Sequence, residues 1–484
     1  MKKKIYRLKF AAWVCLALFM NTACSDWLDV KPKTEEEADR LFSNEEGFKS
    51  ALAGAYIALC QPELYGKELT YGMVGILGQE WSKGGSLDIS SSAYANLQRY
   101  KYGEVSTKPI VEKVWLSMYK TIANVNTLIE YTEKKQEVFH GDNYEMIRGE
   151  AIALRAFIHF DLLRLYADYN FGDSVKSIPY VKTSKPAITG QSTANEVVKL
   201  ALEDINSALK LLEKDPIFTG KDVAGADNGY LANRNFHLNY YAVQGLKARI
   251  CLYAGDLEGA KTAAQIVIDA QNNAGVFPWV NKNDITNSNS ALRDRTFSTE
   301  QLFAFNMPKL NEYIKGYFKE TQLPLSSRIA PKGNSGDFLY AASDYRGVFF
   351  ETDNGLADVY SKFWQMDNQT IGGSVVRPKR NRMPSIRISE MYYIAAECNK
   401  TANPALALED LNKVRKMRGL TEKLTNTDPI EIQKEILKEY QREFLGEGQL
   451  FFYHKRMETK KIATANAVYK LPMPDAEIDL GERD

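Results

Sequence analysis

Histidine and cysteine are scarce in this chain of 484 residues, which contains four of the first and five of the second. Beyond the amino-terminal region, the wide and unrelated spacing of Cys60, Cys251 and Cys398 indicates neither a disulfide framework nor a metal site. The sequence also lacks the HExxH, Gly-x-Ser-x-Gly, P-loop and GxGxxG motifs. These absences predict a protein that is not an enzyme and that holds no metal and no cofactor.

An excess of charge of either sign is missing too. The formal net charge is +1, and removing the five positive charges of residues 1–9 would take it to −4. Binding to a phosphate backbone requires a basic field, so nucleic acid is excluded as a partner. Residues 10–20 form the one long apolar run, and the remaining sequence therefore predicts a globular, water-soluble body.

The amino terminus has the pattern of a secretory signal. The basic segment MKKKIYRLK precedes the apolar run FAAWVCLALFM and the small residues before Cys24. Eleven apolar residues are too few to cross a bilayer core of about 30 Å. Thr22 and Ala23 before Cys24 resemble a bacterial lipoprotein signal, which predicts removal of residues 1–23 and acylation of Cys24 as a membrane anchor. The alternative is a secreted protein with an incidental cysteine.

Helical periodicity dominates the rest of the chain, and strand-like alternation is scarce. The periodic stretches are 109–135, 143–170, 194–214, 236–271, 386–418 and 430–456. Two of them align without a gap, with Ala248 over Ala395, Cys251 over Cys398 and Ala260 over Ala407. This spacing is typical of a tetratricopeptide (TPR) hairpin, in which small residues lie where two helices cross closely. Both cysteines are therefore interpreted as packing residues.

The periodicity collapses in two regions, residues 71–104 and 272–386, which are rich in Asn, Gly and aromatic residues. Long irregular segments inside a compact domain are usually functional. The sequence therefore predicts a mainly α fold of discontinuous TPR-like hairpins that carries two loop-rich insertions. The scaffold would comprise about 109–271 and 386–456 of a single domain spanning 24–484.

Five ordered motifs resemble the SusD/RagB-like outer-membrane lipoproteins of Bacteroidetes. They are CSDWLDVKP, EAIALRAFIHFDLLRLYADYNFG, RISEMYYIAAECNKTANPALALEDLNKVRKMRG, KEYQREFLGEGQLFFYHKR and LPMPDAEI. The resemblance implies a SusD-like fold and a lipid-anchored protein on the cell surface. It also implies a function, capture of an oligosaccharide or polysaccharide and delivery to a SusC-like TonB-dependent transporter.

Aromatic residues in the two irregular regions are the best candidates for contacts with a sugar. The C–H face of a sugar ring packs flat on an aromatic ring, while its hydroxyls bond to polar side chains nearby. Large rings in Gly-, Asn- and Ser-rich loops have no periodic apolar face to join, which favours Trp81, Trp279 and Trp364. The full candidate set adds Tyr94, Tyr345, Asn96, Arg99 and Asn281.

Other polar clusters are interpreted as structural. Glu439, Glu443 and Glu447 lie on one helical face, which predicts an ion-pair network with Arg442 or Arg456. Arg155, Arg387, Glu390 and Glu397 are interpreted as structural ion pairs in the same way. The basic run at 375–387 predicts a solvated face or one side of a partner interface, and attraction of an acidic substrate is the alternative.

Three other functions remain open at this point. The same scaffold could take up a peptide, as the resemblance to other members of the SusD/RagB-like family implies. A glycoside hydrolase would need a pair of carboxylates facing a cleft, for which Glu443 and Glu447 are the candidates. A structural TPR adaptor would bind no small ligand.

Overall fold

A computed structural model describes residues 33–81, 92–185, 187–219, 226–319, 340–353, 356–376, 378–462 and 465–481. The predicted signal peptide and the predicted lipidation site Cys24 lie outside these residues.

The architecture is mainly α, as the periodicity predicted. The helices are α1 (Lys33–Leu41), α2 (Glu45–Leu59), α3 (Met73–Leu77), α4 (Ala93–Gln98), α5 (Lys108–Lys134), α6 (Asn143–Tyr166), α7 (Ala194–Leu211), α8 (Tyr240–Tyr253), α9 (Leu257–Ala274), α10 (Lys282–Ile285), α11 (Leu310–Ile314), α12 (Ile388–Asn399), α13 (Pro404–Met417), α14 (Pro429–Glu443), α15 (Leu450–Arg456) and α16 (Asp475–Leu480). Helices α1 and α2 were not recognised in the sequence.

The aligned stretches form the predicted helical hairpins, α8 with α9 and α12 with α13. Small side chains lie at the crossings, where Ala248, Ala260, Ala395 and Ala407 are all buried. Cys251 is buried as well, and burial raises its thiol pKa to about 12, which fits a packing role. Helix α9 packs against α12, so the two hairpins stack on each other as TPR units do.

Region 272–386 is less irregular than the sequence indicated, because it contains strands. The strands are β1 (Gln301–Asn306), β2 (Phe350–Asp353), β3 (Leu356–Tyr360), β4 (Gln369–Ile371), β5 (Ser374–Val376) and β6 (Arg382–Arg387), with β7 (Lys461–Ile462) and β8 (Ala465–Asn466) near the carboxyl end. They form four antiparallel pairs, β1–β6, β2–β3, β4–β5 and β7–β8. Strand β6 runs directly into α12, so the β1–β6 pair joins the insertion to the second hairpin.

A buried ion network centred on Glu443 links these parts. The Glu443 side chain is 0% exposed and pairs with three guanidinium groups. Arg418 lies 2.6 Å and Arg346 2.9 Å from its oxygens, and Arg387 forms the third pair. Burial alone would raise the pKa of Glu443, but Arg418 and Arg387 hold it well below the usual value. The carboxylate therefore stays ionised inside the protein.

The network extends to both neighbouring glutamates of the motif. Glu439 pairs with Arg346 at 3.0 Å and with Arg442 at 2.8 Å, which confirms the predicted partner Arg442. Glu447 pairs with Arg387 at 2.9 Å and with the buried Lys362 at 2.5 Å.

The predicted partner Arg456 is wrong for this network, because it pairs with Glu397 at 2.6 Å. The structural roles predicted for the other charged residues are confirmed. Arg155 pairs with Asp204, and Glu390 pairs with Arg249.

Replacing Glu443 with glutamine should destabilise the fold strongly. Removing one partner of a buried ion pair leaves uncompensated charge and costs about 3–5 kcal/mol. We expect Glu443→Gln to lower the free energy of unfolding by about that amount in urea denaturation. Glu431→Gln is the matched control on the same helix, because Glu431 pairs with Lys434 at the surface and should cost less than about 1 kcal/mol. Equal stability of the two variants would contradict this role.

The same network predicts a pH dependence. Since the pKa of Glu443 is lowered by folding, its stabilisation is present above the unfolded value of about 4.3 and is lost as the pH falls through the folded pKa. Acid should therefore destabilise the wild type more than it destabilises Glu443→Gln, in thermal melts between pH 7 and pH 3. Parallel pH profiles would show that Glu443 is not the group responsible.

Candidate ligand-binding site

The two insertions meet at a cluster of two tyrosines and a lysine. Tyr94 lies at the start of α4, in the first insertion, and Tyr317 lies in the π-helical turn Lys315–Lys319 that follows α11, in the second. Lys67 comes from the segment after α2, and its ammonium lies 5.7 Å from the Tyr94 ring centre and 5.5 Å from that of Tyr317. We call these three residues the tyrosine–lysine cluster.

Glu68 fixes the geometry of the cluster. Its Oε1 accepts a hydrogen bond from the Tyr94 hydroxyl at 3.0 Å and pairs with the Lys67 ammonium at 2.8 Å. Its Oε2 accepts from the backbone N–H of Met73 at 2.9 Å, which anchors the carboxylate at the start of α3. One side chain therefore orients a ring and a cation and ties both to a helix.

The electrostatics keep the lysine charged and the phenol neutral. Burial alone would lower the pKa of Lys67, but the Glu68 carboxylate raises it above the usual value. Burial raises the pKa of Tyr94 well above its usual value, and Glu68 raises it further. At neutral pH the Tyr94 hydroxyl is protonated, and the positive charge beside the rings is already paired.

Both tyrosine rings are half-buried, so each keeps part of its surface open. Their centres lie 6.3 Å apart in an edge-on arrangement. Behind them is a buried aromatic floor, in which Phe318 packs against Tyr71, Phe363 and Trp81. The half-buried Trp364 lies beside the same turn, and its indole N–H donates to the Phe318 carbonyl at 3.4 Å.

The structure places the residues predicted to contact a ligand in different surroundings. Tyr94 packs edge-on against Tyr317, and Trp364 donates to the carbonyl of the adjacent Phe318. Trp81 is 1% exposed, and its N–H donates to the Tyr71 carbonyl at 2.8 Å, so it belongs to the floor and offers no face to a ligand. The expectation of an exposed Trp81 is wrong, because Phe318 covers it from a distant part of the chain.

The polar candidates of the first insertion take other positions. The buried Asn96 amide donates to the Ser106 hydroxyl at 3.2 Å, a structural contact between the insertion and the residues that precede α5. Arg99 is exposed and ends α4.

Trp279 and Tyr345 form a second group at the Arg418–Gly419 turn, and Asn281 follows Trp279 closely in the chain. Arg418 lies 5.5 Å from the Trp279 ring, and the Tyr345 backbone N–H donates to the Arg418 carbonyl at 2.8 Å. Asn281 is exposed and caps α10. Both rings are half-buried, so a ligand-binding role for this group stays a prediction.

Sequence reasoning missed Lys67 and Tyr317. The i, i+4 spacing of Tyr313 and Tyr317 places both rings near one face of a helical turn and is a usable signal. Nothing in the sequence around Lys67 indicates that it lies near both rings, since Tyr94 and Tyr317 approach it only in the folded chain.

The two carboxylates considered for a hydrolase do not face a cleft. Glu443 and Glu447 are buried, and each is held by arginine or lysine.

The described ranges contain no group of three or more His, Cys, Asp or Glu residues placed to hold a metal ion. Within them, no helix has the length and apolar character needed to span a membrane. The cluster offers ring faces, hydroxyls and a paired cation, which suit binding.

Comparison with known proteins identifies the family. Residues 26–219 match the family described as "Starch-binding associating with outer membrane", and residues 308–477 match the SusD family. The chain belongs to the SusD family. A SusD-like protein from Formosa agariphila is 26% identical over 266 residues, which cover 55% of this chain and 46% of that relative. The chain thus spans less than half the length of that relative.

Solved SusD structures share the fold over almost the whole chain. A SusD superfamily protein from Bacteroides thetaiotaomicron is 21% identical with a TM-score of 0.67, covering 91% of this chain and 99% of that one. Surface glycan-binding protein A from Bacteroides thetaiotaomicron, in complex with laminarihexaose, is 16% identical with a TM-score of 0.63. That match covers 90% of this chain and 98% of the other. The SusD-like fold predicted from the motifs is confirmed.

The burial of Trp81 predicts a structural effect for its removal. Truncating a buried tryptophan to alanine costs about 3–5 kcal/mol, so Trp81→Ala should lower the free energy of unfolding by that amount in urea denaturation. Trp364→Ala is the control, because its half-buried ring should cost clearly less. A stable Trp81→Ala protein that had lost ligand binding would show that Trp81 is a contact residue after all.

Proposed function

We propose that this SusD-family protein is a cell-surface lipoprotein that binds an oligosaccharide or polysaccharide and delivers it to a SusC-like TonB-dependent transporter. Acylation of Cys24 would hold it in the outer membrane, as the lipoprotein-like signal indicates. It would bind the glycan without cleaving any bond.

The tyrosine–lysine cluster is the observation that carries this proposal. Two half-buried rings at the junction of the insertions provide apolar faces for sugar rings. The nearby hydroxyls and the Lys67 ammonium, which lies 3.4 Å from the Tyr317 hydroxyl, provide hydrogen-bond donors. Trp364 extends the aromatic surface beside Phe318. A rigid helical scaffold that presents such loops is a common arrangement for binding sites.

The energetics require more than one ring. Covering roughly 50–100 Å² of apolar surface per ring, at about 25 cal/mol per Å², contributes on the order of 1–2.5 kcal/mol. A millimolar dissociation constant needs about 4 kcal/mol. Two or three rings together reach that value, which is the number that Tyr94, Tyr317 and Trp364 supply.

The relatives support a glycan as the ligand. One family description names starch, and one structural relative was solved in complex with laminarihexaose. The pairing of Lys67 with Glu68 leaves the cluster without a free charge for an acidic ligand, which is compatible with a neutral sugar chain.

Truncating Tyr317 should weaken glycan binding without unfolding the protein. Tyr317→Ala removes one ring, so we expect the affinity to fall about 5- to 70-fold, measured by isothermal titration or affinity electrophoresis on neutral polysaccharides. Tyr144→Ala is the matched control, because Tyr144 is a half-buried tyrosine that packs on Phe139 of the scaffold, 5.7 Å away.

Two results would contradict the proposal. Full glycan affinity in Tyr317→Ala would place the site elsewhere. A wild-type protein that binds no glycan but co-purifies with peptide would favour peptide uptake by the same scaffold.

A further inference from the structure

Glu68 neutralises a charge at the candidate site while being almost completely buried itself. Its carboxylate pairs with the Lys67 ammonium at 2.8 Å, yet the Glu68 side chain is only 6% exposed, whereas the Lys67 side chain is 21% exposed. A ligand that lies on the Tyr94 and Tyr317 rings can therefore approach the cation but not the carboxylate. Glu68 acts on such a ligand only through Lys67.

Other contacts hold the Lys67 ammonium beside the rings. It lies over both Tyr94 and Tyr317 and donates a hydrogen bond to the Tyr317 hydroxyl at 3.4 Å. Because ring faces attract a cation and the hydroxyl accepts a hydrogen bond, these contacts do not need the carboxylate. Removing the charge of Glu68 should therefore leave the cation in place and free to pair with an anion.

The backbone around Glu68 is fixed independently of its side chain. The Glu68 N–H donates to the Pro62 carbonyl at 3.0 Å, and the Glu68 carbonyl accepts from the Val74 N–H at 2.8 Å. Glutamine has nearly the shape of glutamate and can still bond to the Met73 N–H and the Tyr94 hydroxyl. Glu68→Gln therefore removes a charge with little change in structure.

The pairing decides how the cluster responds to a charged ligand. Hydrogen bonds between ions are roughly twice as strong as those between neutral groups, so a carboxylate on a ligand gains most where it meets an unpaired ammonium. At Lys67 that position is already taken by Glu68. An acidic sugar would bring a second negative charge to the same cation, whereas a neutral sugar meets no such repulsion.

We propose that Glu68 determines the charge class of the ligand, because its pairing with Lys67 makes the cluster select neutral sugar chains over chains that carry carboxylates. This inference rests on the proposed function, since it takes the tyrosine–lysine cluster as the sugar-binding site. Glu68 is a positioning residue, which acts on the ligand through Lys67 without touching it.

Two forms of one polysaccharide test this selectivity. The neutral form is whichever of starch, laminarin and galactomannan binds the wild type most tightly, and the acidic form is the same polysaccharide with its C6 alcohols oxidised to carboxylates. Isothermal titration gives the ratio of the affinity for the acidic form to the affinity for the neutral form. We expect Glu68→Gln to raise this ratio about tenfold at low salt. Most of the gain should be lost in 1 M NaCl, where the Debye length is about 3 Å.

Two further variants separate the effect of Lys67 from a general effect of charge. Glu431→Gln also removes one negative charge, but from a surface pair with Lys434, so it should leave the ratio unchanged. Lys67→Met/Glu68→Gln lacks the cation as well, and its ratio should return to the wild-type value. Since the expected change is a gain of binding, misfolding of a variant does not imitate it.

Three results would overturn the inference while neutral binding by the wild type upholds the proposed function. They are a wild type that prefers the acidic form, a Glu68→Gln ratio no higher than that of Glu431→Gln, and a raised ratio that persists in Lys67→Met/Glu68→Gln. A wild type that binds none of the three polysaccharides in either form would refute the proposed function and this inference together.

Discussion

The structure depends on keeping the Glu443 carboxylate ionised where no water reaches it. Moving a carboxylate out of water costs several kcal/mol, and only close, well-oriented cations recover that cost. Arg346, Arg387 and Arg418 do so from three separate segments of the chain. These arginines reach Glu443 only when the insertion, strand β6 and helix α13 are all in place. The network therefore enforces one arrangement of parts that are far apart in sequence.

That arrangement also positions the candidate site. The turn after α14 contains Gly446 and Gly448, both with positive φ, and the Leu69 backbone approaches Gly448 so closely that a side chain there would collide with it. Leu69 follows the Lys67–Glu68 pair directly. On the other side, Lys362 donates to the Glu443 carbonyl at 3.0 Å and precedes Phe363 and Trp364. The buried charges thus fix both the cation of the cluster and its aromatic floor.

The sequence predicted features that depend on local periodicity and failed where distant segments meet. Alanine spacing around Cys251 and Cys398 was enough to identify the two hairpins, and the structure shows that they stack on each other. Trp81 was misjudged because its neighbours in sequence are Gly and Ser, whereas Phe318 and Tyr71 bury it. Lys67 was missed for the same reason, since its role depends on rings from both insertions. Tyr94 and Trp364 were identified, but only the structure shows that they contact neighbouring residues of one turn, Tyr317 and Phe318.

The central claim is that this scaffold passively presents the tyrosine–lysine cluster to a sugar chain. A crystal structure with a bound neutral oligosaccharide tests it most directly. We predict an uncleaved chain with sugar rings packed on Tyr94 and Tyr317 and an unchanged network around Glu443. An oligosaccharide bound only at Trp279 and Tyr345, or one found cleaved in the crystal, would contradict the account.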